Sequence, residues 1–155
     1  MRHGNINVNI GGVAKPGRGS NDLSIHDALY RSFEWYWSPD GTMAGLDAYE
    51  QMSVREQDDF IASIEHWGNV PEGGRAARSR VNQEHEDPLI VAIKAGKQRF
   101  TAFREESGPT WIVCDNYLKE GRKRDKTGDR AVARTIEKRT SYFDAVKKGK
   151  YYERG

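Results

Sequence analysis

The sequence predicts an α+β domain in which helices pack against one face of an antiparallel sheet. Residues 52–68 show helical periodicity behind a capping sequence. Residues 89–118 divide into three strand-like segments separated by turn residues, and residues 129–147 return to a helical pattern. Helices that are separate in sequence from an antiparallel meander are typical of two layers of secondary structure around one core.

Composition favours one compact domain with a strongly charged surface. The chain has 155 residues, of which 36% are hydrophobic and 31% charged. No apolar run is close to the length of a membrane span, which is about 18 residues. The N-terminus lacks the apolar region that a secretory signal requires. Cys114 is the single cysteine, which excludes an internal disulfide and suits the reducing cytoplasm. The four histidines have no ligand spacing, so we expect no metal site.

Charge is distributed unevenly along the chain. Residues 21–72 carry two basic and eleven acidic side chains, whereas residues 73–155 carry twenty basic and twelve acidic ones. Such an asymmetry suggests a surface that binds a polyanion, a site for an acidic partner, or both. The alternative is that oppositely charged surfaces of one domain partly neutralise each other.

The first half of the chain contains the predicted helical pair. Residues 1–20 are rich in Gly and Asn and predict a flexible arm. Residues 23–33 predict a short helix, and the aromatic segment 33–37 predicts a strand. A short helix over 45–51 should precede the main helix. Ser53 is expected to cap that helix together with Glu56, and Gly68 to end it.

The second half contains the predicted meander and the basic segments. Residues 69–88 form a turn-rich connector, and the strands are predicted at 89–95, 97–105 and 110–118. A basic loop over 119–129 leads into the last helix, which should end near Lys147. Residues 21–147 therefore form the expected domain, and residues 148–155 a basic, mobile tail.

The first hairpin of the meander places positive charges close together. A loop at Ala95-Gly96 makes Lys94 and Lys97 direct neighbours and pairs Ala92 with Arg99. Lys94, Lys97 and Arg99 would then share one face of the sheet. The opposite, core-facing side would carry Val91, Ile93, Phe100 and Ala102. Like charges in such pairs destabilise a sheet unless an anion lies between them, and a phosphodiester backbone is a natural anion for this surface.

The stretch from Pro88 to Phe143 resembles the RelE/HigB/ParE superfamily of bacterial and phage toxins, and it is most similar to the phage-derived HigB-like branch. Four short motifs and the order of the elements carry the resemblance. The motifs match at Leu89–Lys94, Gln98–Phe100, Tyr117–Lys119 and Lys126–Gly128. The helix "FIASIEHWGN" is also similar, so the resemblance covers about residues 33–147. It implies a RelE-like fold.

The resemblance further implies the toxin of a type II toxin–antitoxin system. Such a toxin is a metal-independent endoribonuclease, an mRNA interferase that cuts mRNA on the translating ribosome, needs no cofactor and is neutralised by a cognate antitoxin. Its expected catalytic residues here are Lys94, Lys97, Arg99, Tyr117 and Lys119. Further RNA-binding residues, expected from their positive charge, are Arg75, Arg78, Arg80, Arg122, Lys123, Arg124 and Lys126.

Cleavage of RNA without a metal requires a base for the ribose 2′-hydroxyl, cations for the phosphorane charge and an acid for the leaving 5′-oxygen. We expect Lys94 or Tyr117 to relay the proton and Arg99 to hold the phosphate. Lys97 and Lys119 would stabilise negative charge. Two alternatives stay open: a ParE-like inhibitor of a protein target without ribonuclease activity, and a nucleic-acid-binding or phage assembly protein.

Overall fold

The computed structural model describes residues 23–106, 108–121 and 126–152. The predicted arm at residues 1–20 lies outside this part of the chain. The elements in chain order are β1 (Ser24–Asp27), β2 (Ser32–Trp35), α1 (Ala44–Gln51), α2 (Val54–Gly68), β3 (Val81–His85), β4 (Ile90–Ala95), β5 (Gln98–Arg104), β6 (Thr110–Leu118) and α3 (Lys126–Lys147). None of the described helices is long and apolar enough to cross a membrane.

The strands form one six-stranded sheet in the order β1-β2-β6-β5-β4-β3. All neighbouring strands are antiparallel except β2 and β6, which are parallel, so the sheet is mixed rather than purely antiparallel. The chain leaves β2 through α1 and α2, enters the sheet again at its far edge with β3, and returns strand by strand to β2. The meander predicted at residues 89–118 is confirmed as β4, β5 and β6.

The helix predicted at residues 23–33 is wrong, because this segment forms β1, a turn and the start of β2. The turn is closed by a hydrogen bond from Ala28 N to Arg31 O at 2.9 Å, and Ile25 is fully buried. With only four residues in each strand, the segment shows little periodicity of its own. Pairing with the rest of the sheet decides its conformation.

The connector predicted at residues 69–88 contains the edge strand β3. This strand pairs with β4 so that Val81 lies opposite Ile93, with an irregularity between Gln83 and His85. Only Val81 is buried in β3, so the strand lacks the apolar alternation that would have predicted it.

The helical pair was predicted correctly. Glu56 N donates to Ser53 Oγ at 3.1 Å, and Ser53 N donates to Glu56 Oε1 at 3.3 Å, which completes the expected capping box. Gly68 is the last residue of α2. A Cβ atom there would lie 2.4 Å from Cβ of Ala28, so only glycine lets the helix end beside the β1–β2 turn.

The predicted α+β class is confirmed, but helices pack on both faces of the sheet and not on one face as predicted. On one face α1 and α2 cover the aromatic core, in which Phe60 contacts Trp35 and Phe100. On the other face α3 packs on β5 and β6, where Tyr142 contacts Phe103. The hydroxyl groups of Thr101 and Thr135 also bond across this layer at 2.6 Å.

The expected mobile tail is wrong at its tyrosines. Tyr152 is 4% exposed, and the ring of Tyr151 lies 4.7 Å from that of Tyr142. Trp37 N donates to the Tyr151 hydroxyl at 2.8 Å. Residues 151 and 152 therefore belong to the folded domain, because their rings fill space beside the β2 end and α3.

Candidate functional site

The β4–β5 hairpin turns one residue later than expected, at Gly96 and Lys97. Ala95 pairs with Gln98, and Lys94 pairs with Arg99. Gly96 has φ +62°, which suits the first central residue of a type II′ turn. Each predicted pair therefore moves two positions along β5. Because side chains alternate with a period of two, the predicted faces are kept while the partners change.

Three of the expected catalytic residues lie in one row across neighbouring strands. Lys94 on β4 pairs with Arg99 on β5, and Arg99 pairs with Tyr117 on β6. The hydroxyl of Tyr117 donates to Glu84 Oε1 on β3 at 3.1 Å. β3 and β6 are not adjacent, so the side chains of Tyr117 and Glu84 reach over β5 and β4 to form this hydrogen bond. They do so on the face that carries Arg99 and Lys94. We refer to the three paired residues Lys94, Arg99 and Tyr117, together with Glu84, as the basic row, after its two cations.

Glu84 was not predicted from the sequence. It lies in the segment interpreted as a connector, and its strand has no apolar pattern. Its contact with Tyr117 also depends on the irregular pairing between Gln83 and His85, which sequence periodicity does not encode. The only signal was a carboxylate close in sequence to three arginines.

Burial and mutual repulsion make the charged form of Lys94 less favourable. Burial lowers the pKa of its ammonium group below the usual range, and the guanidinium of Arg99 lowers this pKa further. Glu84 acts in the opposite direction, while Lys119 and Arg78 add to the lowering. The predicted mutual repulsion therefore involves Arg99 rather than Lys97.

Arg99 is half-buried and partly held by its own hairpin. Its Nη1 atom donates to Gly96 O at 2.7 Å and to Gln98 O at 3.0 Å. Burial lowers the pKa of its guanidinium group, and the nearby Tyr117 and Glu84 oppose this change. These contacts fix the orientation of a planar cation that can bind phosphate oxygens through two donors.

The other two expected catalytic lysines lie at the border of the row. Lys97 is exposed in the turn, and its carbonyl accepts a hydrogen bond from Lys119 N at 2.8 Å. Lys119 is half-buried just after β6 and acts electrostatically on Lys94. Both lysines therefore lie at the end of the sheet where Lys94 and Arg99 are paired.

Arg80 lies on the side of the hairpin that α2 covers. Its Nη1 atom donates to Asp59 Oδ1 at 2.8 Å, and Gly96 N donates to Asp59 Oδ2 at 2.7 Å. Ser63 Oγ donates to Lys94 O at 2.6 Å. Through these bonds α2 fixes the turn and Lys94 from the opposite face of the sheet. Arg80 therefore has a positioning role within the fold.

The remaining predicted RNA-binding residues are dispersed. Arg75 and Arg78 are exposed in the segment before β3, and Arg78 is close enough to act on Lys94. Lys126 is exposed at the first residue of α3. This helix runs in the direction of β5, since Thr135 meets Thr101 and Tyr142 meets Phe103, so it begins toward the Arg99 end. Arg122, Lys123 and Arg124 lie outside the described residues.

Within residues 23–106, 108–121 and 126–152, no group of three or more His, Cys, Asp or Glu side chains has an arrangement that could hold a metal ion. Fold and site together define a mixed α+β domain in which two cations, Lys94 and Arg99, lie close to Tyr117 and Glu84. No protein-family model matches the chain, and no curated protein matches its sequence.

Proposed function

We propose that this protein is a RelE-like toxin of a type II toxin–antitoxin system, an endoribonuclease that cleaves mRNA through side chains alone. The basic row carries the proposal. Two cations, a phenol and a carboxylate meet on one part of the sheet, with Lys97 and Lys119 beside them. These are the groups that cleavage of a phosphodiester by the adjacent ribose hydroxyl requires.

In the proposed reaction the 2′-hydroxyl of the RNA loses its proton to the Tyr117 oxygen as Tyr117 passes its own proton to Glu84. The 2′-oxygen attacks the phosphorus atom, and Arg99 binds the phosphorane oxygens. The bond to the 5′-oxygen breaks as Lys94 transfers a proton to that oxygen. The products are a 2′,3′-cyclic phosphate and a free 5′-hydroxyl. The lowered pKa of Lys94 makes its ammonium group a stronger acid for this step.

The order of elements also supports the proposal. Two strands, a helical pair, four strands and a last helix follow one another, so the order on which the resemblance depends is kept with β1 and β3 added to it. An mRNA substrate on the translating ribosome requires a cytoplasmic location. An antitoxin would bind the cationic surface with an acidic segment, since complementary charge favours such a complex.

The decisive experiment maps the 5′ ends of an mRNA in a reconstituted translation reaction, with and without ribosomes. Wild-type protein should produce new ends that depend on ribosomes. Arg99→Ala should reduce cleavage about 100- to 1000-fold, as expected for the loss of a group that stabilises transition-state charge. Arg104→Ala is the matched control, because Arg104 lies at the other end of β5 and bonds to Gly108 O.

Glu84→Gln tests the assignment of the proton acceptor. The amide still accepts a hydrogen bond from Tyr117 but cannot take up its proton, so we expect about 100-fold slower cleavage with the fold intact. Intact mRNA with arrested protein synthesis would contradict the nuclease and favour a ParE-like inhibitor. Intact mRNA with active synthesis would leave RNA binding without cleavage as the better assignment.

A further inference from the structure

A cleft with a volume of about 730 Å³ lies beside the edge strand β3, on the face of the sheet that α2 covers. Its volume is in the range of sites for small molecules or single nucleotides. Arg31, Arg75 and Arg78 supply positive charge to its walls, and Trp111 and Val91 contribute to its apolar floor. None of the motifs identified in the sequence predicted this cleft as a unit.

The cationic wall combines one fixed arginine with two accessible ones. Arg31 Nη1 donates to the carbonyl oxygens of Trp67, at 3.0 Å, and Val70, and its guanidinium lies 5.2 Å from the centre of the Trp67 ring. Arg75 and Arg78 are exposed, and neither guanidinium has an ion pair or hydrogen bond with another residue in the described part of the chain. They can therefore bind a phosphate without breaking an existing contact.

The floor and rim of the cleft provide contacts for a flat, polar ring. The rings of Trp67 and Trp111 pack 4.5 Å apart and form a rigid base, and Leu89 is 40% exposed at the rim. Asn82 and Gln83 on β3 also line the cleft, and each amide can donate and accept hydrogen bonds. An anion attached to a flat ring with donor and acceptor edges is the chemistry of a nucleotide.

The cleft lies on the face of the sheet that α2 covers, whereas Lys94 and Arg99 lie on the face that α3 covers, and the β3 edge separates the two. Arg78 lines the cleft and acts electrostatically on Lys94, and Asn82 and Gln83 come directly before Glu84 on β3. An RNA strand would have to cross the β3 edge to contact both the cleft and the basic row.

We propose that the cleft binds one unpaired nucleotide of a single-stranded RNA, with its base on the apolar floor and a flanking phosphate on Arg75 and Arg78. This inference rests on the proposed function and adds a requirement on the substrate: the nucleotide that occupies the cleft must be unpaired. A base-paired nucleotide cannot turn its ring into the cleft.

Binding of a short fluorescent RNA with 2′-O-methyl groups, which block cleavage, tests the cleft separately from catalysis. Fluorescence anisotropy with the full chain should show tighter binding of the single strand than of its duplex. Arg75→Gln should weaken binding about fivefold and reduce the salt slope by about 0.7, and Gln83→Ala should weaken it about fivefold. Arg55→Gln is the charge-matched control, since Arg55 is exposed on α2 outside the cleft.

A photo-crosslinking RNA that contains 4-thiouridine locates the base, and we expect crosslinks at Leu89, Val91 or Trp111. Equal binding of single strand and duplex, or no effect of Arg75→Gln and Gln83→Ala beyond that of Arg55→Gln, would overturn the cleft assignment even if Arg99-dependent cleavage is found. Conversely, cleft-dependent binding of single strands without cleavage or translation arrest would overturn the proposed enzyme and leave the nucleotide site.

Discussion

The pairing of Lys94 with Arg99 reduces the stability of the fold. Like charges directly opposite each other on neighbouring strands destabilise a sheet by some tenths to about 1 kcal/mol. The same hairpin is held from its other face, where Asp59 accepts from Gly96 N and Arg80 and where Ser63 donates to Lys94 O. Two cations held together in this way suit a site that binds an anion, because the charge of the bound anion offsets their repulsion.

The pKa of Lys94 provides a test with a defined sign. NMR titration of protein with ¹³C-labelled lysine should give Lys94 a pKa below the ordinary value of about 10.4. Arg99→Gln should raise this pKa, because it removes a repelling charge, and Glu84→Gln should lower it further. Lys94→Arg identifies the resonance. A Lys94 pKa at or above the ordinary value would contradict both its burial and its role as an acid.

The same shift determines how Lys94 affects stability. Because its pKa is lower in the folded than in the unfolded chain, the unfolded chain binds more protons between the two values. The contribution of Lys94 to the free energy of unfolding therefore rises with pH across that window. Below the window the charged ammonium group destabilises the fold.

Cys114 should be unreactive in the native protein. It is 0% exposed, and burial raises the pKa of its thiol well above the usual range, so little thiolate is available. We expect Ellman's reagent to modify native Cys114 at least about 1000-fold more slowly than the unfolded chain. The double variant Cys114→Ser/Ser141→Cys serves as an exposed reference on α3. Rapid modification of the native wild type would show that β6 opens easily.

At the scale of elements, α3 is attached to the sheet by a half-hidden ionic network. Asp115 on β6 accepts from Arg134 Nε at 2.6 Å and lies 3.4 Å from Lys138 Nζ, and its side chain is 10% exposed. Burial alone would raise the pKa of Asp115. The hydrogen bond from Arg134 and the charge of Lys138 outweigh burial and lower it.

Asp115→Asn should destabilise the protein by about 2 kcal/mol near neutral pH, because two cations lose their carboxylate in a partly buried position. Thermal unfolding should show a decrease in Tm of about 4–8 °C. Asp144→Asn is the control: its pair with Lys148 is 59% exposed on both sides, and such pairs contribute little.

The pH dependence of this difference has a fixed direction. A carboxylate whose pKa is lowered by folding stabilises the native state above its unfolded pKa, about 3.9, and this contribution is lost as pH falls through the folded pKa. The stability difference between wild type and Asp115→Asn should therefore shrink below about pH 4. A difference that is constant down to lower pH would assign the effect to packing instead.

At the scale of the whole molecule, the last described residues pack against the hydrophobic cores on both faces of the sheet. Tyr151 contacts Tyr36 and Tyr142 beside α3, and Trp37 lies against both Tyr151 and Tyr152. These rings join the β2 end of the sheet to the last helix, so the C-terminal segment connects elements from opposite halves of the sequence.

A chain that ends at Gly149 should lose at least about 3 kcal/mol of stability, since the removal of buried aromatic side chains leaves cavities and one unpaired backbone donor at Trp37. Chemical denaturation measures the loss. A chain that ends at Tyr152 keeps both rings and is the control. Equal stability of the two truncated chains would contradict the packing of these tyrosines.

The secondary structure that follows from local signals could be predicted from the sequence. The capping box of Ser53 and Glu56, the apolar face of α2 and the three strands of the meander each lie within one continuous segment. The faces of the β4–β5 hairpin were also correct, although the turn was displaced by one residue. Alternation of side chains protects the face assignment against an error of two positions.

The sequence by itself determined an α+β domain with a basic hairpin, because periodicity, turn residues and charge are local properties of the chain. Tertiary structure alone decided that residues 23–33 form β1, a turn and the start of β2, that β3 completes the sheet edge, and that Tyr151 and Tyr152 pack inside. It also brought Glu84 to Tyr117 and Arg78 toward Lys94. Each of these contacts joins segments that are remote in sequence, so its free energy depends on partners that no local pattern specifies.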